Sequence, residues 1–535
     1  MLRGRKEIFT DEQEITRDNI ILVLQKAMPC FTTIASDCRF LLNYEAGEQP
    51  ILREKTYRPD IDCHCEDNVA NEITEFKLGF NWGNPITLVQ RGEKDSGEQD
   101  EALAISMLNE CYEAEKIKSK TQALARYIEI CGIGYTLIDI NTDWEEGDSY
   151  FTIDVLDPRF AFVVKSSMVG HKPMLGVSFR KDEIGNVHFT CFTKTKRFEI
   201  LNLVKIVNGE PVPETDEERN WDDKKRWTQK DRSGELNPLG RIPVIEWIRS
   251  HDRMGCFERQ ISEMDNLNLL ISDFSNDVDQ NTQAIWHGND IDFPVDEEGN
   301  VVRPKTNDWI LTHTTADGKQ PFINPLSVSY DYAGMLSNIV TRRALILQKC
   351  NVPQRNDDSG GSTGIAMSDA TGWSAAESAA CKEQNIIEGC KMDEVKVVLS
   401  AIKKSSNVPT DSPLLKLKYS DIQPNIKRQK TYEMVTKSSC FANLVSHGID
   451  GLHALKAINL FDDVNQVYED SKDLIKSYQD SMFNNAKDTT TQDENQTTDG
   501  GYEAQIENSP MIDGQSKEKP VVVDDKNEQG MTNDK

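Results

Sequence analysis

The sequence lacks any run of about twenty apolar residues, which is the length that an α-helix needs to cross a bilayer. Residues 1–17 are charged along their length and lack the apolar stretch of a secretion signal. We therefore expect neither a membrane partner nor export. The 12 cysteines form no compact framework, and a chain of 535 residues needs no disulfides to fold, so free thiols are predicted.

Signatures of catalysis are also missing. The 8 histidines never occur in the His-Glu-x-x-His spacing of zinc proteases, and no lysine stands where a phosphate-binding P-loop needs one. Cys63, His64 and Cys65 are adjacent, but a zinc site normally adds a second ligand pair, and none is near in sequence. The sequence therefore predicts no catalytic residue, no metal and no cofactor.

An excess of basic charge, the usual mark of a DNA-binding protein, is absent. The net charge is −28, and residues 484–535 contribute 12 acidic and 5 basic residues to it. Tight DNA binding needs a basic face that releases counterions from phosphates, so this composition argues against it. A like-charged wall would still let a polyanion slide past without adhering. The polar composition of residues 484–535 predicts a disordered acidic tail.

The sequence does contain two long helical patterns. In residues 255–286 the apolar residues recur every three or four positions, as on one stripe of an α-helix. A second pattern runs over residues 330–350 and ends at Pro353, which cannot continue a helix. The polar stretch between them includes strand-like pieces such as residues 308–313. This order predicts two rods, each about 30–40 Å long, joined by a small β module.

The first rod is rich in Asp and Asn, which are mediocre helix formers, so packing must hold it. Two interpretations remain open: an ordinary helical hairpin, or a stem that packs against copies of itself and presents its carboxylates to something else.

The other segments alternate between helical and strand-like patterns, which together predict an α+β fold. The predicted elements are a helix over residues 10–45 with a break near Pro29, a helix over residues 100–131 that ends at a Gly-rich turn, an antiparallel β meander over residues 150–207, a long helix over residues 373–404, a strand over residues 414–422, and helices over residues 426–446 and 452–478.

The segment 354–372 is rich in Gly and Ser and is too long for an ordinary connection in a compact domain. Such a segment is either functional or disordered. Without a P-loop lysine it cannot cradle a nucleotide phosphate in the usual way, so a mobile loop is predicted.

The ordered set of motifs resembles the portal proteins of tailed bacteriophages, in particular the family of phages that infect Gram-positive hosts. The motifs that carry the resemblance are LLNYEAGEQPIL (41–52), NWGNPITL (81–88), CGIGYTLIDI (131–140), NPLGRIPVIEW (237–247), ERQISEMDNLNLLISDFSND (258–277) and GGSTGIAMS (360–368). The resemblance covers most of residues 35–405. It implies a ring of about a dozen subunits at one vertex of the procapsid, through which DNA is packaged and later ejected.

The resemblance also implies a division of the chain into named parts. These are a wing of helices and β meander (1–254), a first stem helix (255–286), a small β-containing clip (287–325), a second stem helix (326–353), a tunnel loop (354–372), a long supporting helix with a wing strand (373–423) and a helical crown (424–483). The acidic tail over 484–535 departs from what the resemblance leads us to expect.

The resemblance assigns candidate site residues to three of these parts. For the tunnel loop they are Asp357, Asp358, Ser359, Gly360, Gly361, Ser362, Thr363, Gly364 and Ser368. For the stem, as lumen or neighbour contacts, they are Glu263, Asp273, Asp277, Arg342, Arg343 and Lys349. For the clip, as terminase contacts, they are Asp290, Asp292, Asp296, Glu297, Arg303 and Lys305. For the three stem bases, salt bridges to the stem carboxylates are the alternative.

The implied partners are other copies of the chain, double-stranded DNA, the terminase large subunit, a head-completion or adaptor protein, and the major capsid and scaffolding proteins. The implied location is the virion, at the capsid vertex, after assembly in the host cytoplasm. Two alternatives remain open: a nucleic-acid-processing enzyme of a mobile element, and a capsid-associated or scaffold-associated structural protein without a channel.

Overall fold

A computed structural model describes most of the chain. The described residues are 4–51, 61–91, 99–183, 186–202, 204–207, 210–213, 233–282, 285–289, 295–300, 322–326, 331–353, 372–426, 428, 433–458, 460–461, 464 and 467–477. The chain divides into two compact units, residues 1–437 with 460–463, and residues 438–459 with 464–535.

Helices and strands alternate along the described residues. The helices labelled here are α1 (Ile20–Glu45), α2 (Val69–Trp82), α3 (Gln99–Ala114), α4 (Ile117–Cys131), α5 (Ile261–Thr282), α6 (Tyr332–Lys349), α7 (Trp373–Lys404), α8 (Glu433–Ser446) and α9 (Gly451–Ile458), and residues 467–477 are also helical. The strands are β1 (Ile8–Thr10), β2 (Thr87–Gln90), β3 (Ile133–Ile140), β4 (Phe151–Leu156), β5 (Ala161–Ser166), β6 (Pro173–Lys181), β7 (Val187–Phe192), β8 (Lys196–Leu201), β9 (Val204–Val207), β10 (Glu210–Pro213), β11 (Glu235–Leu236), β12 (Val244–Ile248), β13 (Ile285–Asn289), β14 (Phe322–Leu326) and β15 (Ile422–Asn425).

The predicted β meander is present over β5 to β8, which form most of the main sheet, whereas β4 and β9, which lie within the predicted bounds, pair in other sheets. Strands β5 to β8 pair antiparallel in sequence order, and the six-stranded sheet runs β1-β5-β6-β7-β8-β11. A separate sheet of order β12-β3-β4 carries the Gly-rich turn at its entrance. There Gly132 ends α4 with a φ of 77°, and a Cβ would lie 2.6 Å from the backbone of Arg253. A residue with a side chain does not fit at this turn, as the sequence predicted.

The helix predicted over residues 10–45 is wrong at its start and at its break. Residues 8–10 form β1, which pairs in parallel with β5, and α1 begins only at Ile20. The helix continues through Pro29, whose ring lies exposed while the flanking Ala27, Met28 and Phe31 are buried. Burial of this apolar face outweighs the roughly 3 kcal/mol that a proline costs inside a helix.

The single helix predicted over residues 100–131 is two helices. Lys116, with a φ of 55°, separates α3 from α4. The buried face of α3, including Ile105 and Leu108, packs in one core cluster, whereas Leu124 and Ile128 of α4 pack in another with Trp82 and Trp247. The two apolar faces lie against different cores, so the chain has to turn between them.

The strand predicted over residues 414–422 is also wrong. Two 3-10 turns occupy residues 413–415 and 419–421, and only Ile422–Asn425 forms a strand, β15, paired with β2. Leu414 and Leu417 are both fully buried. Their spacing of three residues places both on one side of a helical turn, whereas a strand would separate them.

Candidate functional site

The two predicted rods exist as α5 and α6, and they run antiparallel. The ring of Phe274, late in α5, meets that of Tyr332, early in α6, edge-on at 5.9 Å. Glu263, early in α5, lies near Arg342 and Lys349, late in α6. Strands β13 and β14 pair antiparallel between the helices and form the predicted β module, although residues 308–313 lie outside the described residues.

One end of the helix pair is anchored in the hydrophobic core. Met264 and Leu267 of α5 and Ile346 and Leu347 of α6 are buried in the largest hydrophobic cluster. On the other half of α6, Leu336 is 53% exposed and Val340 is 59% exposed. Leu336 and Val340 therefore form an apolar strip of α6 that the described residues leave exposed.

A ladder of side chains on α5 binds the backbone of the segment 61–67. The backbone N–H of Cys63 donates to Asn276 Oδ1 at 2.7 Å, that of Cys65 to Ser272 Oγ at 2.9 Å, and that of Asp67 to Asn268 Oδ1 at 3.0 Å. The return bonds are Asn276 Nδ2 to Cys63 O at 3.4 Å and Ser272 Oγ to Cys65 O at 3.3 Å. We call Asn268, Ser272 and Asn276 the polar ladder.

The polar ladder can form these hydrogen bonds because the spacing of side chains along the helix matches the spacing of backbone groups along the extended segment. Residues four apart on a helix are spaced by about 6 Å, and alternate residues of an extended segment by about 6.6 Å. The helix side chains thus satisfy alternate backbone groups as a neighbouring strand would. This explains why Asn268 and Asn276 are buried in a helix. These polar residues of α5 thus bind a segment of the same chain.

We expect that breaking the ladder releases the segment 61–67 without unfolding the helices. In the Ser272→Ala and Asn276→Ala double variant, backbone groups of Cys63 and Cys65 lose partners worth about 0.5–1.5 kcal/mol each. Hydrogen exchange of residues 63–67 should accelerate by ~10-fold or more. Asn266→Ala, an exposed position on the same helix, is the matched control. Unchanged exchange in the double variant would contradict the role of the ladder.

The basic residues predicted for the stem all have acidic neighbours within the chain. Arg343 donates to Asp67 at 2.8 Å and also binds Glu72 of α2. Burial opposes the charge of Arg343, but Asp67 and Glu72 outweigh it and keep its pKa above the ordinary value. Arg342 and Lys349 both lie near Glu263, at 3.7 and 4.0 Å. These contacts are compatible with a lumen or neighbour role, which stays a prediction.

The remaining predicted residues are distributed as follows. Asp273 and Asp277 are half-buried on α5. Asp296 and Glu297 are exposed on a turn closed by the Asn300 N–H, which donates to Asp296 Oδ1 at 2.7 Å. All the tunnel-loop residues, together with Asp290, Asp292, Arg303 and Lys305, lie outside the described residues.

A buried charge cluster at the base of the helix pair was not predicted. Arg249, just after β12, donates to Glu129 of α4 at 2.9 Å and also binds Glu383 of α7. Asn81 donates to Glu383 at 2.8 Å, and the indole N–H of Trp82 to Glu129 at 3.0 Å. The cluster therefore ties α2, α4 and α7 to the strand that leads into α5.

The ionisation of the cluster follows from its burial. Burial opposes the charge on Arg249, but Glu383 and Glu129 outweigh it, so the pKa of Arg249 lies above its ordinary value. Burial raises the pKa of Glu383, and Arg249, which Glu129 shares, only partly offsets this. The sequence signal is charge within an otherwise apolar stretch: Glu129 alone in YIEIC, and Arg249 together with Glu246 in VIEWIR.

A second charge cluster fixes the N-terminal segment. The Arg5 guanidinium donates to Cys131 O at 3.2 Å and binds Glu258, and neither side chain is exposed. Nearby, Glu246 binds Arg253 and Lys165 at 2.5 and 2.8 Å. Burial tends to raise the pKa of Glu246, but the two bases outweigh it and lower that pKa to about 2. Glu246 therefore stabilises the fold above its ordinary pKa of 4.5, and this contribution is lost as the pH falls towards 2.

The thiols form no disulfide. All 12 cysteines are free. Cys63 and Cys65 point towards α5, whereas His64 Nε2 lies 3.2 Å from Asp62. Within the described ranges no group of three metal-ligating side chains occurs, and no helix there is both long and apolar enough to span a bilayer.

These features define the class of the protein by fold, an α+β protein with two long antiparallel helices and a two-stranded sheet between them. The family described as "Phage portal protein, SPP1 Gp6-like" matches residues 29–439. Because the match spans well over half of the chain, the protein belongs to this family of phage portal proteins. The resemblance to portal proteins of tailed bacteriophages is thus confirmed, and the family is a structural one.

The chain also compares as follows with curated proteins and with solved structures. No curated protein matches the chain. Among solved structures, it resembles a chain of the "Neck of empty GTA particle computed with C6 symmetry", at 11% sequence identity and a TM-score of 0.35, over 78% of this chain and 96% of that chain.

Proposed function

We propose that the protein assembles into a ring of about twelve copies that encloses the DNA channel at one capsid vertex. Membership of the portal family supports a role at that vertex. The observation that carries the ring is the helix pair, which is anchored at one end and leaves Leu336 and Val340 exposed one turn apart on α6. A contact repeated head-to-tail between identical copies buries such a stripe and closes into a ring.

The charge of the chain suits a channel in which DNA must move. A ring of copies, each with a net charge of −28, repels the phosphate backbone. Repulsion prevents the adhesion that counterion release would otherwise drive, so double-stranded DNA passes during packaging and ejection. No chemical step is required of the chain, and the proposal is a non-enzymatic one.

The parts of the chain take the roles that the portal family suggests. In this proposal α5 and α6 are the stem, with Glu263, Asp273, Asp277, Arg342, Arg343 and Lys349 near the lumen or a neighbour. Residues 287–325 are the clip on which the terminase large subunit docks, and residues 354–372 are the loop that faces DNA. Residues 1–254 form the wing, 373–423 the supporting helix with a wing strand, and 424–483 the crown.

The remaining partners in the proposal are a head-completion or adaptor protein, the scaffolding protein and the major capsid protein. Assembly takes place in the host cytoplasm, before the capsid is filled.

The ring is tested by imaging the purified chain. Negative-stain images should show rings with a central hole, and native mass spectrometry should give about twelve copies. A Leu336→Asp and Val340→Asp double variant should lose most rings, since charges would be buried at the contact. Leu22→Asp, an exposed apolar position on α1, is the control. Only monomers under all conditions would contradict the proposal, and metal-dependent nuclease activity would favour the enzyme alternative.

A further inference from the structure

A basic groove lies at the end of α7, on a chain that is otherwise strongly acidic. Arg241, Lys396, Lys403 and Lys418 line it, together with Leu399 and Tyr419. Its volume is about 300 Å3. We call these residues the basic groove. Four cations on one concave surface are unexpected in a chain with a net charge of −28.

Contacts within the chain account for some of the basic side chains in the groove. Lys396 forms an ion pair with Asp393 at 2.8 Å, and Lys403 Nζ donates to Leu417 O at 3.1 Å, close to the C-terminal end of α7. Arg241 Nε donates to Ser400 Oγ at 3.1 Å. Within the described residues, Arg241, Lys403 and Lys418 have no carboxylate at ion-pair distance. Three charges of the groove are therefore not neutralised by any carboxylate of the described residues.

The groove offers an apolar surface as well as charge. Leu399 is 5% exposed and lies in the wall, while the ring of Tyr419 is 50% exposed at the edge. Lys396 Nζ lies 5.5 Å from the centroid of that ring. A ligand with both carboxylates and one apolar side chain matches this combination, because the acids pair with the bases and the apolar group covers the tyrosine ring.

The acidic side chains around the basic groove favour a short polyanionic ligand over a long one. Asp393, which pairs with Lys396 of the groove, is exposed, and Asp421 follows the groove residue Ser420 directly in sequence. A nucleic acid would run beyond the four cations and meet these carboxylates, which repel phosphates. A short acidic peptide ends before it reaches them. The volume, at the lower end of the roughly 300–1,000 Å3 of ligand pockets, also fits a short segment.

We propose that the basic groove is a docking site for a short acidic segment of another protein, with one apolar side chain among its carboxylates. This goes beyond the channel function and does not depend on it. The bases select an acidic partner, and the exposed tyrosine and Leu399 set the position of the apolar residue.

The test uses the full chain and a fluorescein-labelled peptide, Glu-Asp-Leu-Glu-Asp-Glu, followed by fluorescence anisotropy. Binding should weaken as salt is raised from about 0.05 M to about 0.5 M, because the charges are exposed. The Arg241→Glu and Lys418→Glu double variant should bind the peptide at least ~10-fold more weakly. Lys403 is left unchanged because it also closes the turn at Leu417.

Two controls separate binding from folding and from net charge. Lys26→Glu with Lys172→Glu makes the same charge change at exposed positions elsewhere and should bind like the unaltered chain. Arg241→Gln with Lys418→Gln removes the two charges without adding new ones and should weaken binding by an intermediate factor. Equal melting temperatures and equal ring content in all variants show that neither the fold nor the proposed channel is affected.

Two results would overturn the proposal. One is peptide affinity that is the same in the groove variants as in the unaltered chain. The other is a single-stranded oligonucleotide of about twelve nucleotides that binds more tightly than the peptide and is lost in the groove variants, which would make the groove a nucleic-acid site.

Discussion

Arg249→Met is expected to lower the free energy of unfolding by about 3–5 kcal/mol, because it leaves two buried carboxylates without their cation. Glu129 and Glu383 are 0% and 9% exposed, so water cannot replace the guanidinium. Methionine fills a similar volume, which keeps the loss electrostatic instead of creating a cavity. Urea unfolding followed by far-UV circular dichroism measures the effect.

Two further variants test the cause of this loss. Lys118→Met removes a cation paired with Glu113 on the surface, where both side chains are 65% exposed, and should cost less than about 1 kcal/mol. Adding Glu129→Gln and Glu383→Gln to Arg249→Met should recover part of the lost stability, because no unpaired charge is then buried. If the triple variant is no more stable than Arg249→Met, unpaired charge is not the cause.

Glu258→Ala is expected to have a similarly large effect at the start of the first long helix. Glu258 neutralises Arg5, which has no exposed side-chain surface, and it also accepts the Gly255 N–H at 2.9 Å. Its loss leaves a buried guanidinium without a counter-ion and the Gly255 N–H without an acceptor, which together cost about 3–5 kcal/mol. Thermal unfolding should show a lower melting temperature, and proteolysis should cleave the N-terminal segment sooner.

The neighbouring residue provides a matched control for this prediction. Arg259 forms an ion pair with Asp252, but both side chains are more than 60% exposed. Arg259→Ala should therefore leave the melting temperature nearly unchanged, since exposed pairs contribute less than about 1 kcal/mol. A shift as large as that of Glu258→Ala would mean that the burial of the Arg5 pair is not what stabilises the region.

Elements whose buried face is continuous were predicted well. The long helix α7 begins at Trp373 and ends at Lys404, as its apolar spacing indicates, and the β meander and the turn at Gly132 are also present. Elements whose burial changes along their length were predicted poorly. The break at Lys116 and the 3-10 turns around Leu414 arise because neighbouring residues pack against different parts of the molecule.

The candidate functional site was likewise predicted well in one part and poorly in another. The two long helices and the small sheet between them were predicted, whereas the polar ladder was not. A buried Asn in a helix looks from its sequence like a solvent-facing one, because the difference lies in a distant segment, here residues 61–67.

By itself the sequence determined the acidity of the chain, its helical periodicities and the ordered motifs that place it among the portal proteins. The periodicities and motifs are properties of short stretches of residues, and the acidity is a sum of side-chain charges, so the amino-acid sequence is enough to determine all three. Only the tertiary structure decided which charges meet. Arg249 is 120 residues from Glu129 and 134 from Glu383, and Arg5 is 253 residues from Glu258. The packing of helices and sheets brings these distant residues together and excludes water around each ion pair. The periodicity of the sequence does not indicate which residues this packing brings together.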